Sequence, residues 1–111
     1  MKRKKTIKPW GSEEVLYLCG KARVKKLVVK PGHRTSLQSH KHTPETWMVV
    51  KGHPCIELHG DREVYAPGSS FSIGEDVPHR IAAVCDTVVI LEVKFGYDTD
   101  IVRHVDDYGR K

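Results

Sequence analysis

The amino-acid sequence predicts an all-β, single-domain fold, a sandwich or a barrel, on three observations. Short runs rich in Val, Ile, Leu, Tyr and Phe recur along the chain. Turn residues separate those runs at near-regular intervals. No segment of helical length carries an apolar repeat of about 3.6 residues. The 111 residues give room for one domain with one core.

The predicted strands, in order, are Glu13 to Cys19, Arg23 to Lys30, Thr46 to Lys51, Cys55 to His59, Glu63 to Tyr65, Ser70 to Ile73, Arg80 to Val84 and Thr87 to Phe95. Between them stand Pro31-Gly32, Lys51-Gly52, Gly60-Asp61, Pro67-Gly68 and Gly74-Glu75. Branched and aromatic residues suit a pleated, half-buried surface, and Gly, Pro and Asp suit the turns. Gly60-Asp61 predicts a tight hairpin. The tail from Asp98 to Lys111 is expected to hold a turn of helix. Residues 1–8 form a basic, partly mobile N-terminal segment in this reading.

Composition excludes several classes. Nothing approaches the roughly 18 consecutive apolar residues of a membrane helix, so no membrane partner is expected. The start Met1-Lys2-Arg3-Lys4-Lys5 is basic, but no apolar run follows it, which argues against a secretory signal and for a cytoplasmic protein. Cys19, Cys55 and Cys85 are odd in number and widely spaced, so they read as buried free thiols in a reducing compartment. The net charge of +5 favours an anionic partner, either nucleic acid or a small anion such as a sugar phosphate. No aromatic or Gly-rich RNA motif accompanies the basic start, so no nucleic-acid partner is expected.

The chemistry concentrates in one segment. Gln38, His40 and His42 are two residues apart, so on an extended strand they share a face. Glu45 follows just past Thr43-Pro44, and His79 stands at a strand entrance after Val77-Pro78. Imidazole, amide oxygen and carboxylate on one wall suit a borderline or hard divalent ion. A barrel would bring His79 to the other three.

The spacing Gly32, five residues, Gln38, one residue, His40, four residues, Glu45, six residues, Gly52 resembles the first motif of the cupin superfamily, with Gln38 where His is usual. The second motif is weaker: Gly68 and His79 are correctly spaced, but Gly74, Asp76 and Ala83 replace the usual Pro, Gly and Asn. A narrower resemblance runs through Lys8-Pro9-Trp10-Gly11, Lys30-Pro31-Gly32, Ser36-Leu37-Gln38-Ser39-His40-Lys41-His42, Glu45-Thr46-Trp47 and Val77-Pro78-His79-Arg80, and ends in Asp100 to Arg110. These segments resemble the type II phosphomannose isomerases, in which this domain is often the C-terminal half of a bifunctional mannose-1-phosphate guanylyltransferase/mannose-6-phosphate isomerase. The resemblance implies a cupin, that is, a jelly-roll barrel or double-stranded β-helix. It implies interconversion of mannose 6-phosphate and fructose 6-phosphate, or of a related phosphosugar. It also implies one divalent ion on Gln38, His40, Glu45 and His79, and a homodimer. Zinc is the first choice of metal because two imidazoles favour it, with Mn, Fe, Co or Ni open on ligand type. The chain has no Gly-rich phosphate loop and too few residues for a nucleotide-binding domain, so guanylyl transfer is not expected.

An aldose–ketose isomerase needs a base for the transferred proton. His42 is the first candidate, and Lys94 and Glu92, on one face of the last predicted strand, are the second. Arg103 and Arg110 match the family tail and are expected to grip phosphate, with Arg80 reaching the pocket mouth. Trp10 and Trp47 read as core or rim aromatics. Thr43 and Thr46 stand where the family commonly has Arg and His, which on this reading removes a cation and an imidazole beside the site. Another cupin enzyme, such as a dioxygenase or sugar epimerase, and a non-catalytic sugar- or metal-binding cupin are the alternatives.

Overall fold

The computed structural model describes residues 4–41, 44–96 and 101–110. These form strands β1 (Lys4–Lys8), β2 (Gly11–Cys19), β3 (Ala22–Val29), β4 (His33–Arg34), β5 (Leu37–His40), β6 (Glu45–Lys51), β7 (Cys55–Leu58), β8 (Asp61–Val64), β9 (Ser70–Ile73), β10 (His79–Ala83), β11 (Val88–Phe95) and β12 (Ile101–Val105). All eight predicted strands are present, and β1, β4, β5 and β12 join them. There is no helix among the described residues, so none is long and apolar enough to cross a membrane.

The strands make two sheets. One runs β1-β2-β3-β11-β6-β9 and the other β12-β5-β10-β7-β8, with β4 also on β10. Every pairing is antiparallel. The two sheets face each other across one core, which is the jelly-roll arrangement the sequence predicts.

Three local expectations change. Lys4 to Lys8 are not a loose tail: they pair in register with Val15 to Gly11 and form an edge strand. Its mostly exposed lysines fit an edge, where charge discourages pairing with another chain. The C-terminal segment holds a strand rather than a turn of helix, because Ile101 and Val102 pair with His40 and Ser39 on β5. Cys19 and Cys85 are exposed rather than buried, and all three thiols are free.

Turn chemistry closes the elements as predicted, with one shift of register. The β7–β8 hairpin turns on His59 and Gly60, at φ +51° and +83°, so Leu58 opposes Asp61. Two positive φ values are what the primed two-residue turns require. Gly52, at φ +81°, ends β6, and a Cβ there would stand 2.3 Å from the Thr87 carbonyl oxygen. Only glycine lets these two backbones pass so closely.

Alternation then sorts the interior. On β11, Val88, Ile90, Glu92 and Lys94 face inward while Val89, Leu91, Val93 and Phe95 face out. Val88 and Ile90 join Val29, Ile56, Ile73, Ile81 and Ala83 in an apolar core that reaches up to Trp10 and Trp47. Beyond Ile90 the interior becomes charged, and the candidate site lies there.

Candidate metal centre and anion cavity

Four strands, paired in two cross-strand ladders, build the centre. Glu45 opens β6 and stands directly across from Lys94 on β11. His79 opens β10 and stands across from Gln38 on β5. His40, two residues beyond Gln38, shares its face, and its carbonyl accepts the Asp76 amide at 2.7 Å. The approach loop to β10 is thereby tied to the end of β5.

His40, Glu45 and His79 each bring one ligand-type atom into a group spanning no more than 4.8 Å, and all three side chains are buried. The His40 and His79 rings stack with centroids 5.6 Å apart, and Trp47 packs edge-on to His79 at 5.2 Å. Glu45 Oε2 accepts the Trp47 indole N–H at 2.8 Å, which fixes the carboxylate. His79 Nδ1 lies 2.8 Å from the Val77 carbonyl, so Nδ1 carries the proton and Nε2 keeps its lone pair. His79 Nε2 is buried and has no well-aligned hydrogen bond among the described residues, while Glu45 Oε1 faces His40 Nε2. Buried acceptors without donors are costly unless something binds them, and a cation meets that need.

His40 is set differently. Its Nδ1 is 3.1 Å from Lys94 Nζ, and its Nε2 is 2.7 Å from Glu45 Oε1. A lysine ammonium has only donors, so it makes Nδ1 the acceptor and places the ring proton on Nε2. A cation held between His40 and Glu45 would take the place of that proton. The donor set therefore fits a divalent ion, two imidazoles and a carboxylate, with Gln38 beside them. Gln38 Oε1 accepts the Ser36 hydroxyl at 2.9 Å, which leaves the amide oxygen a second lone pair.

The charges agree with this arrangement. Burial opposes ionisation of Glu45, but hydrogen bonds with His40 and Glu92 and the nearby imidazoles override it and hold the carboxyl at about 2. Burial lowers His79, outweighing the attraction of Glu45, and keeps the ring neutral. Glu92 moves the other way. Burial, then the Glu45 charge and the hydrogen bond to it, raise its carboxyl well above the usual range.

A cavity of about 210 Å³ opens from His40 and Gln38. Glu92 lines it, together with four cationic side chains, Lys8, Lys25, Arg103 and Arg110. Lys25 is buried and held by Glu13 at 2.7 Å. Arg103 lies across from Gln38 in the β12–β5 ladder.

The structure thus brings Gln38, His40, Glu45 and His79 together and places Glu92, Arg103 and Arg110 on the cavity wall. Lys94 is fully buried and does not line the cavity; it contacts His40 and lies 3.9 Å from Glu45. His42 lies outside the described residues. Arg80 does not reach the pocket. Because His79 points inward, its neighbour points out, and Arg80 borders a separate surface groove with Arg34 and Arg62. Thr46 also faces outward, with its hydroxyl 3.4 Å from that of Ser72, so this departure from the family pattern does not touch the centre. Lys8, Glu13 and Lys25 were not among the residues expected from sequence. Lys25 was accessible by alternation, since it shares a face with Leu27 and Val29.

Known proteins fit this picture. The family described as "Mannose-6-phosphate isomerase C-terminal" matches residues 1–107. The alginate biosynthesis protein AlgA of Pseudomonas aeruginosa is 36% identical over 107 residues, covering 93% of this chain and 22% of that protein. A mannose-1-phosphate guanylyltransferase of Escherichia coli K12 is 28% identical over 111 residues, covering 96% of this chain and 23% of that protein. The chain therefore spans about a quarter of the length of these relatives. Among solved structures, the cupin-2 domain Rru_A2000 of Rhodospirillum rubrum superposes with a TM-score of 0.76 at 17% identity, covering 83% of this chain and 64% of that one. With its barrel, its inward His–Glu–His group and this match over nearly its whole length, the chain is a cupin that belongs to the mannose-6-phosphate isomerase C-terminal family.

Proposed function

We propose that the chain is a metal-dependent aldose–ketose isomerase acting on a phosphosugar, with mannose 6-phosphate and fructose 6-phosphate as the pair to test first. One observation carries the reading. A single cavity opens from His40, one member of the buried cation-type donor set, and is lined by the Glu92 carboxyl and four cationic side chains. Family membership supports the same substrate class.

His40, Glu45 and His79 would hold the ion, with Gln38 as the adjoining amide donor. When bound, a divalent ion such as zinc supplies Lewis acidity towards neighbouring carbonyl and hydroxyl oxygens of an open-chain sugar. Lys8, Lys25, Arg103 and Arg110 balance the phosphate charge and orient the sugar. As carboxylate, Glu92 would take the proton from one carbon and return it to its neighbour, and its raised affinity for a proton makes it the stronger base. Trp47 and Lys94 act one step back, fixing Glu45 and His40. Guanylyl transfer, named for longer relatives, is not proposed for this segment.

The test is a coupled assay with mannose 6-phosphate on metal-stripped protein, repeated after adding Zn, Mn, Co, Ni or Fe(II) separately. Turnover should return with one metal, and Glu45→Gln should lose at least about 100-fold in metal affinity together with turnover. Stoichiometric metal binding without turnover under any metal would sink the isomerase and leave a binding cupin.

A further inference from the structure

Arg110 lies beyond β12, outside the sheet pairings. Here it is anchored. Arg110 Nε–H donates to Asp106 Oδ2 at 2.9 Å, and Nη2–H donates to Oδ1 at 3.1 Å. The Arg110 backbone N–H also donates to Oδ2, at 2.7 Å. The chain returns on itself through Gly109, whose φ of +72° suits glycine, and the Gly109 amide reaches the Asp106 carbonyl at 3.3 Å. The Asp106 side chain is only 3% exposed, and its carboxyl is held at about 2, chiefly by the hydrogen bond with Arg110.

Two of the three residues inside this loop fasten it to the barrel. Asp107 accepts a two-point contact from Arg34 on β4, through Nε and Nη2, and lies 3.7 Å from Arg80 Nη2. Arg80 is itself held by donating Nε–H to the Thr35 carbonyl at 3.1 Å. The Tyr108 hydroxyl meets His33 Nδ1 at 2.7 Å, and the two rings stack at 13°. The Arg110 guanidinium also packs 5.9 Å from the centre of the Tyr108 ring.

We propose that residues 106–110 form a fastened hook that holds Arg110 at the cavity wall as the phosphate grip, with Asp106, Arg34 and His33 as its positioning residues. The proposal rests on the phosphosugar reading for its substrate, but not for its geometry. A guanidinium has five N–H donors, and the Asp106 fork engages two, so three remain for an anion. An arginine already held in place loses less rotamer freedom on binding than one that must be ordered first. Asp106 also removes part of the positive charge, so its value lies in orientation. Asp107 explains the placement of Arg80, which supports the hook from outside the cavity.

The experiment has two readouts, the Michaelis constant for mannose 6-phosphate in the metal-loaded protein and the dissociation constant of inorganic phosphate by calorimetry. Asp106→Asn should raise both by about tenfold and leave kcat in place. Arg110→Ala should raise them further, and the double variant should be no worse than Arg110→Ala alone, because Asp106 acts through Arg110. Arg34→Ala, which cuts the fastening from the other side, should move both constants in the same direction by a smaller factor. Additive effects of Asp106→Asn and Arg110→Ala, or phosphate affinity indifferent to both, would overturn the hook. Phosphate binding that depends on Arg110 in a protein inert towards mannose 6-phosphate would overturn the isomerase reading and uphold the hook.

Discussion

The two ends of the barrel interior are built from the same strands and behave as opposites. Along β11 the inward residues are Val88 and Ile90 at one end and Glu92 and Lys94 at the other. On β3, Val29 and Leu27 give way to Lys25 in the same manner, and on β6 Val49 gives way to Trp47 and Glu45. All of these positions except Leu27, Lys25 and Glu92 are at most 2% exposed. Burial alone therefore does not separate them. At the closed end, removal from water stabilises the fold. At the open end the same removal opposes ionisation, and it is tolerated because each charge has a partner of opposite sign or a hydrogen bond.

The largest test of this contrast is at the closed end. Ile90→Ala should cost about 3 kcal/mol, read as a shift in the urea midpoint, because Ile90 is wholly enclosed and the cavity left behind has no means of collapse between two sheets. Metal stoichiometry should stay unchanged. Loss of metal binding in a folded Ile90→Ala protein would show that the two ends are not separable.

A smaller effect sharpens the open end. Loading a divalent ion at His40 Nε2 should release about one proton, because the ring proton would move to Nδ1 and Lys94 Nζ would give up one of its own to accept from it. Calorimetry in buffers of different ionisation enthalpy measures this directly, and apparent affinity should rise about tenfold per pH unit. Lys94→Met frees Nδ1 to carry the proton and should bring the release close to zero. Equal release in both proteins would refute the assigned tautomer.

The smallest effect concerns Glu92. Its carboxyl is raised in the folded protein, so between the ordinary value of 4.5 and the folded value the native state binds more protons than the unfolded chain. Stability then falls as pH rises through that window. Glu92→Gln should flatten this slope and stabilise the protein on the alkaline side of that window by about 1 kcal/mol, the range of a single substitution. A slope that survives in Glu92→Gln would assign it to another group.

The centre was legible because its chemistry is local in sequence. Gln38, His40 and Glu45 lie within eight positions, and their spacing with Gly32 and Gly52 is a pattern in itself. His79 followed from the second motif. What escaped depends on pairing across the sheets. β1 is Lys-Lys-Thr-Ile-Lys, which carries no apolar alternation because it is an edge strand with little to bury. β12 mixes Ile and Val with Arg and His, since it borders the cavity on one face. Glu13 and Lys25 look like ordinary surface charges until β2 and β3 place them side by side. Arg80 is the reverse case. Alternation from His79 already sends it outward, and the attraction of an arginine near a site outweighed that signal.

Lys8 and Arg110 meet at one cavity, although 102 positions divide them. The pocket therefore cannot exist on the ribosome until almost all of this sequence has emerged, and contacts between such distant segments are the slow ones to form. A nascent chain arrested before β12 can assemble the inward His–Glu–His group and yet have no finished wall against which to hold an anion. Competence for the metal and competence for the substrate would then arise at different moments of biosynthesis, the second only once the segment from β12 to Arg110 has been made.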